Sequence, residues 1–180
     1  MTVLVEGVRG IAVRRDEPSG AYLATERRSR LAPSTFYGEQ PTQLTVEVRR
    51  NFGGVTARSL LGGEFTPCLK PQELVTAFEV PFGDDLVEIH SPPNCQSELG
   101  RPLIAGLPRD FVEAVLVGLM DESVGALAAG VLRITRAGFD PAGSSENTFT
   151  AVGQILRSVV SAAQENRDPA AAALAAMRSW

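Results

Sequence analysis

The chain has 180 residues, 44% hydrophobic and 21% charged, with 17 bases against 21 acids and a formal net charge of −4. This length suits one domain, and no apolar run approaches the roughly 18 to 20 residues that would span a bilayer. Residues 1–10, MTVLVEGVRG, lack a basic stretch followed by a long apolar core, so no secretory leader is expected and a cytoplasmic protein is. Cys68 and Cys95 lie 27 positions apart with only His90 beside them. That set is too small for a zinc site and reads as two reduced thiols.

Charge is distributed unevenly. Residues 1–58 hold nine arginines against six acids, whereas the remaining 122 residues hold eight bases against 15 acids. The pairs Arg14-Arg15, Arg27-Arg28 and Arg49-Arg50 are candidates for meeting phosphates. Alternation along a strand, however, places one member of each pair on a solvated face.

The first half has strand character. TVLVEGVRGIAVRR is β-branched and interrupted by Gly7 and Gly10, and AYLATERRS follows a Pro18-Ser19-Gly20 turn. TQLTVEVRR alternates, with Leu44, Val46 and Val48 on one face and Thr45, Glu47 and Arg49 on the other. Gly53-Gly54 and Gly62-Gly63 punctuate a less regular stretch. LVTAFEVPF and DLVEIH are strand candidates joined through Phe82-Gly83-Asp84-Asp85, where glycine and aspartate supply turn chemistry. SPPNCQSELGRP reads as a loop.

The period changes in the second half. Phe111, Val112, Val115, Leu116 and Leu119 recur at helical spacing after Pro108, a residue suited to a first turn. Gly118 inside that helix costs about 1 kcal/mol relative to alanine, which makes sense where the helix crosses a neighbour closely. A strand around Val131–Thr135 follows, then the turn-rich run AGFDPAGSSENTF over 137–149. Ser144 or Ser145 can cap the next helix with Glu146 in its first turn. Phe149, Val152, Ile155, Leu156, Val159, Val160 and Ala163 form that helix's apolar stripe. Asp168-Pro169 begins an alanine-rich tail helix that either frays or packs on a partner.

Chemical motifs are scarce. Neither glycine pair belongs to a G-x-x-x-x-G-K-[ST] phosphate loop, and there is no Asn-Lys-x-Asp element for guanine recognition. Gly143-Ser144-Ser145-Glu146 reads as a helix cap before an anion cradle. His90 has no G-x-S-x-G partner, and Asp84, Asp85 and Glu88 sit at or near a turn, where solvated acids are ordinary. No catalytic residue, metal or cofactor is assigned.

The stretch Ala105-Gly106-Leu107-Pro108-Arg109-Asp110-Phe111-Val112-Glu113-Ala114-Val115-Leu116-Val117-Gly118-Leu119 resembles the first-helix signature of the fourth domain of translational elongation factor G. Gly125-Ala126-Leu127-Ala128-Ala129 is similar to the family's next element, and Val131-Leu132-Arg133-Ile134 to the strand after it. Gly143-Ser144-Ser145-Glu146 with Phe149 resembles the family's Asp-Ser-Ser-Glu helix start, and DLVEIHSPPN resembles its strand running into a proline-bearing loop. The tetracycline-resistance ribosomal protection proteins carry the same domain. The likeness covers roughly residues 74–165.

This resemblance implies an α+β, ribosomal protein S5 domain 2-like fold. Such a fold is a mixed sheet with two helices on one face and a left-handed β-α-β crossover, here preceded by additional β-strands. The resemblance implies an elongation-factor-like domain over 71–166, while the residues themselves read as a β-rich segment over 1–70, either extra strands of that domain or a neighbouring one, and a tail helix over 167–180. It further implies a non-enzymatic translation accessory without a GTPase module, whose loop tips touch RNA or the small ribosomal subunit. The contact candidates are Phe82, Gly83, Gly138, Phe139, Asp140 and Ser144, with Arg27 and Arg28. Asp140 stands where the family has a histidine, and an acid there is expected to repel RNA phosphate. Gly143 replaces the family's aspartate. The alternative is a structural or protein-interaction module, binding a protein partner or a second copy of itself, that keeps the fold without the RNA contact. No membrane and no small-molecule substrate are expected.

Overall fold

The computed structural model describes residues 1–15, 29–33, 40–67, 73–78 and 94–180. It is an α+β molecule in which one mixed sheet carries its helices on one face. The strands are β1 (Thr2–Glu6), β2 (Arg9–Arg15), β3 (Ser29–Pro33), β4 (Thr42–Phe52), β5 (Val55–Pro67), β6 (Glu73–Phe78), β7 (Asn94–Cys95), β8 (Leu103–Ala105) and β9 (Gly130–Phe139). Their order is β1-β2-β4-β5-β9-β6-β3, with β8 pairing β9 and β7 pairing β8. All pairings are antiparallel except β6 with β9. The helices are α1 (Val112–Leu119), α2 (Glu146–Gln164) and α3 (Pro169–Ser179).

Two-residue turns make the hairpins. β4 and β5 are joined by Gly53-Gly54, with φ of 53° and 82°. Positive φ at both central residues matches the twist of the flanking strands, and glycine adopts it without a Cβ penalty. The Gly62-Gly63 pair marks an irregularity in the β5–β9 ladder: Gly62 faces Arg136 and Gly63 faces Ile134, so Thr135 is the extra residue.

Strand alternation sorts side chains onto two faces. Ile11, Val13, Leu44, Val46, Val48, Leu61, Phe65, Leu132 and Ile134 lie in one buried cluster with Val115, Leu119, Phe149, Val152, Ile155, Leu156, Val159 and Val160 of the helices. The expected apolar face of β4 and the stripe of α2 are therefore the two halves of one core. The opposite sheet face, read from sequence as solvated, is instead covered. A second, smaller cluster of Leu60, Cys95, Leu103 and Ala105 sits there, and Thr45 and Glu47 are buried. The cover is the segment from β7 to β8, whose contacts are described below.

The tail helix packs on its own chain. Asp168 caps it by accepting from the Ala170 amide at 3.0 Å, and Ala173 and Met177 are fully buried. Arg9 donates to the Met177 carbonyl at 3.0 Å, Arg178 pairs with Glu6 at 3.2 Å, and the Arg50 guanidinium lies 5.7 Å from the Trp180 ring centroid. Gly118 meets α2 as its position suggests. A Cβ there would overlap the Thr150 carbonyl and come within 2.9 Å of the Gln154 nitrogen. Reciprocally, a Cβ on Gly153 would lie 2.9 Å from the Val115 carbonyl oxygen and 3.3 Å from the Gly118 Cα. The helix backbones are in contact at this crossing.

Two opposed effects decide the outcome of Gly118→Ala. Helix propensity favours alanine by about 1 kcal/mol, while overpacking against backbone costs about 1–3 kcal/mol or more. Urea unfolding is expected to show a net loss of stability, whereas Val117→Ala, on the exposed face, stays within about 0.5 kcal/mol. A stabilised Gly118→Ala protein would mean the helices are not in backbone contact.

Candidate functional site

The β4–β5 turn and the loop 140–145 come together at one end of the sheet. Gly143 is pressed so closely onto β5 that a Cβ there would overlap the Thr56 carbonyl oxygen. This gives a steric reason for glycine at the position where the resembled family has aspartate. Beneath the two loops is a concavity of about 580 Å³ lined by Arg49, Thr56, Arg58, Gly100, Arg101 and Asp140, among others.

The floor is built from charges on the covered sheet face. Glu47 is completely buried and the Arg58 side chain is 4% exposed. Glu47 Oε1 accepts from Arg58 Nη2 at 3.2 Å and from Ser97 Oγ at 2.6 Å, and Oε2 accepts from the Glu98 amide at 2.8 Å. Arg58 Nη2 also donates to Ser97 Oγ at 2.5 Å and to the Arg101 carbonyl at 2.7 Å. Arg49 Nη1 donates to the Leu99 carbonyl at 3.1 Å, and Arg14 Nη2 to that of Gln96 at 3.3 Å. Three arginines and one glutamate thus fasten residues 96–101 across the sheet. A buried carboxylate is tolerable only when its lone pairs are filled in this way.

The predicted contact residues are placed unevenly. α2 starts at Glu146, as the candidate caps Ser144 and Ser145 imply, but the turn-rich run over 137–149 is corrected at its start, because β9 continues through Phe139. Strand pairing explains this, because Gly138 and Phe139 are held between β5 on one side and β8 on the other. Phe139 is buried in the main core, and Gly138 abuts Leu103 and Cys95; neither presents a side chain to solvent. Cys95 is buried, and its Sγ donates to the Ala137 carbonyl oxygen at 3.2 Å. Arg27, Arg28, Phe82, Gly83, Asp84, Asp85, Glu88, His90 and Cys68 fall outside the described residues.

Asp140 was expected to be a repelling acid at a tip. It is instead buried and engaged. Its Oδ2 lies 3.4 Å from Arg101 Nη2 and 3.9 Å from Arg58 Nη1, and its Oδ1 accepts from the Ala142 amide at 3.1 Å. Its carbonyl accepts from the Gly143 and Ser144 amides at 3.1 and 2.8 Å, which folds the loop over it. Two guanidinium groups offset its charge, so it does not act as a lone anion. Ser144 Oγ bonds the Arg58 carbonyl and the Asp140 amide. The cap is Ser145, in a reciprocal capping box with Thr148. Ser144 therefore joins the loop to β5, and Ser145 starts the helix.

Sequence reading named Arg49 among the candidates for meeting phosphate but missed the roles of Glu47, Arg58, Ser97 and Arg101. One signal was available: two glycines between β-rich runs predict a hairpin, and that turn sets Arg49 directly across from Arg58. At the turn itself Phe52 is 57% exposed, beside exposed Val55 and Val8. Among the described residues, no three His, Cys, Asp or Glu side chains gather as a metal site, and no helix is long and apolar enough to cross a membrane.

Neither the family models nor the curated proteins compared with the chain give a match.

The contact at Gly143 is testable. Gly143→Asp, which restores the acid of the resembled motif, is expected to destabilise the protein by about 1–3 kcal/mol in urea unfolding, because its Cβ meets backbone. Ala142→Asp, one residue earlier and exposed, is expected to cost no more than about 0.5 kcal/mol. Equal stability of the two variants would show that the loop does not sit on β5.

Proposed function

We propose that this chain is an elongation-factor-G-like, non-enzymatic protein with the ribosomal protein S5 domain 2-like fold. In this reading it associates with RNA, and the small ribosomal subunit is the partner. The observation that carries the proposal is the meeting of two loops over a cavity walled by Arg49, Arg58 and Arg101, with Phe52 exposed on the turn beside it. Guanidinium groups meet phosphates, and an exposed aromatic ring gives an unstacked base a surface to lie on. The parallel pairing of β6 with β9, with α1 in the connection between them, supports the fold assignment. The charge compensation of Asp140 removes an objection to RNA approach at this end. Association takes place in the cytoplasm, and no nucleotide hydrolysis is involved.

A second reading, a protein-interaction module without RNA contact, is favoured by one feature. Among the described residues, strand β1 pairs only with β2 and exposes Val3 and Val5, leaving a row of backbone groups open to another strand. A concentration-dependent dimer in light scattering, with no RNA in the purified protein, would select this reading over the first.

The test of the leading proposal is co-sedimentation with small ribosomal subunits at low salt. Wild-type protein is expected to pellet with the subunits and to be released as salt rises. Phe52→Ala is expected to weaken association about tenfold, from about 1–3 kcal/mol of lost stacking. Arg101→Glu, whose side chain is 75% exposed, is expected to weaken it and to reduce the salt slope by about one. Absence of co-sedimentation at low salt would overturn the proposal.

A further inference from the structure

Arg49 and Arg58 are directly opposed across the β4–β5 ladder, and like charges in that relation repel. Among the described residues their compensation is incomplete. Three guanidinium groups (Arg49, Arg58 and Arg101) face two carboxylates, and one of these, Glu47, lies beneath the floor and is already occupied by Arg58 Nη2, Ser97 and the Glu98 amide. The Nε–H groups of Arg49 and Arg58 are buried with no acceptor among the described residues. Arg58 Nη1 lies 3.9 Å from the Asp140 carboxylate, beyond hydrogen-bond range. The walls are preset: Arg58 Nη2 is shared among Glu47, Ser97 and the Arg101 carbonyl, Arg49 is held by the Leu99 carbonyl, and both stand on the β4–β5 hairpin. A fork of guanidinium donors held in place is the arrangement that recognises a tetrahedral oxyanion.

We infer that the cavity between the two loops is a phosphate-binding site. A phosphate group is held by Arg49, Arg58 and Arg101, and Asp140 is the internal anion that occupies Arg101 until the ligand displaces it. Assigning that phosphate to an RNA strand rests on the function proposed above; the cavity chemistry alone also suits a free phosphate monoester. Asp140 then sets affinity by competition, since a ligand must take over its share of Arg101 before gaining the full field of the three arginines.

The experiment titrates the full chain at low salt with inorganic phosphate, read by calorimetry, and then adds a short single-stranded oligoribonucleotide as competitor. Saturable binding is expected, weakened at least about tenfold in Arg49→Gln and strengthened several-fold in Asp140→Asn, with unfolding curves recorded for both variants. The opposite signs matter, because loss of folding weakens binding in every variant. No saturable binding, or equal binding by wild type and Arg49→Gln when both are folded, overturns the inference. If phosphate fails to bind while ribosomal co-sedimentation persists, the site is overturned and the proposed function is left standing. Competition by the oligoribonucleotide supports an RNA phosphate as the ligand. Phosphate binding that the oligoribonucleotide leaves unchanged supports the cavity as a site for a free phosphate and overturns its link to RNA.

Discussion

The end of the sheet that carries the candidate site depends on one buried ion pair. Glu47 and Arg58 face away from the helices, on neighbouring strands, and are almost wholly removed from water. Desolvating two charges costs several kcal/mol each, and their mutual attraction offsets this only when the remaining donors and acceptors are also satisfied. Ser97, the Glu98 amide and the Arg101 carbonyl complete that set. The pair therefore requires the 96–101 segment to lie across the sheet, and the segment in turn covers the pair. From that follow the position of Arg101, the partner it offers Asp140, and the height of the wall that makes a concavity of a flat sheet face.

The two faces of the sheet are held by different physics. Over the helices, burial of aliphatic side chains dominates, and a close glycine crossing lets α1 approach α2. On the other side, a small apolar cluster around Leu60 and Cys95 is supplemented by hydrogen bonds from arginines to carbonyl groups of a strand-poor segment. Such a face is adapted to hold charge in a fixed geometry. In the proposed reading this fixed charge is what the protein uses: Arg49 and Arg58, which fasten the segment, also line the cavity. The loop 140–145 closes the same region through Ser144 and Asp140.

Local signals in the sequence revealed local structure. The alternation of Leu44, Val46 and Val48 located the core face of β4, the stripe from Phe149 to Ala163 located the buried side of α2, and Gly118 announced a close crossing. Ser145 before Glu146, and Asp168-Pro169, marked helix starts. What escaped was set by distant partners. The polar residues of β4 look solvated in isolation; they are buried because a segment about 50 residues later supplies Ser97 and the Glu98 amide. Ala137, Gly138 and Phe139 look like the start of a turn because glycine precedes Asp-Pro, yet pairing on both sides draws them into β9. The charge of Asp140 cannot be judged without Arg58, 82 positions earlier, and Arg101.

The central claim is that Glu47 fastens the 96–101 segment and thereby shapes the site. Its most direct test is native-state hydrogen exchange of the Glu98 amide, which donates to Glu47 Oε2, in wild type and in Glu47→Gln. The substitution leaves one acceptor oxygen for the donors that two now serve. Selective loss of protection at Glu98, with amides in the middle of α2 retaining theirs, is the predicted result. Unchanged protection at Glu98 in the variant, or an equal loss spread over α2, would contradict the claim.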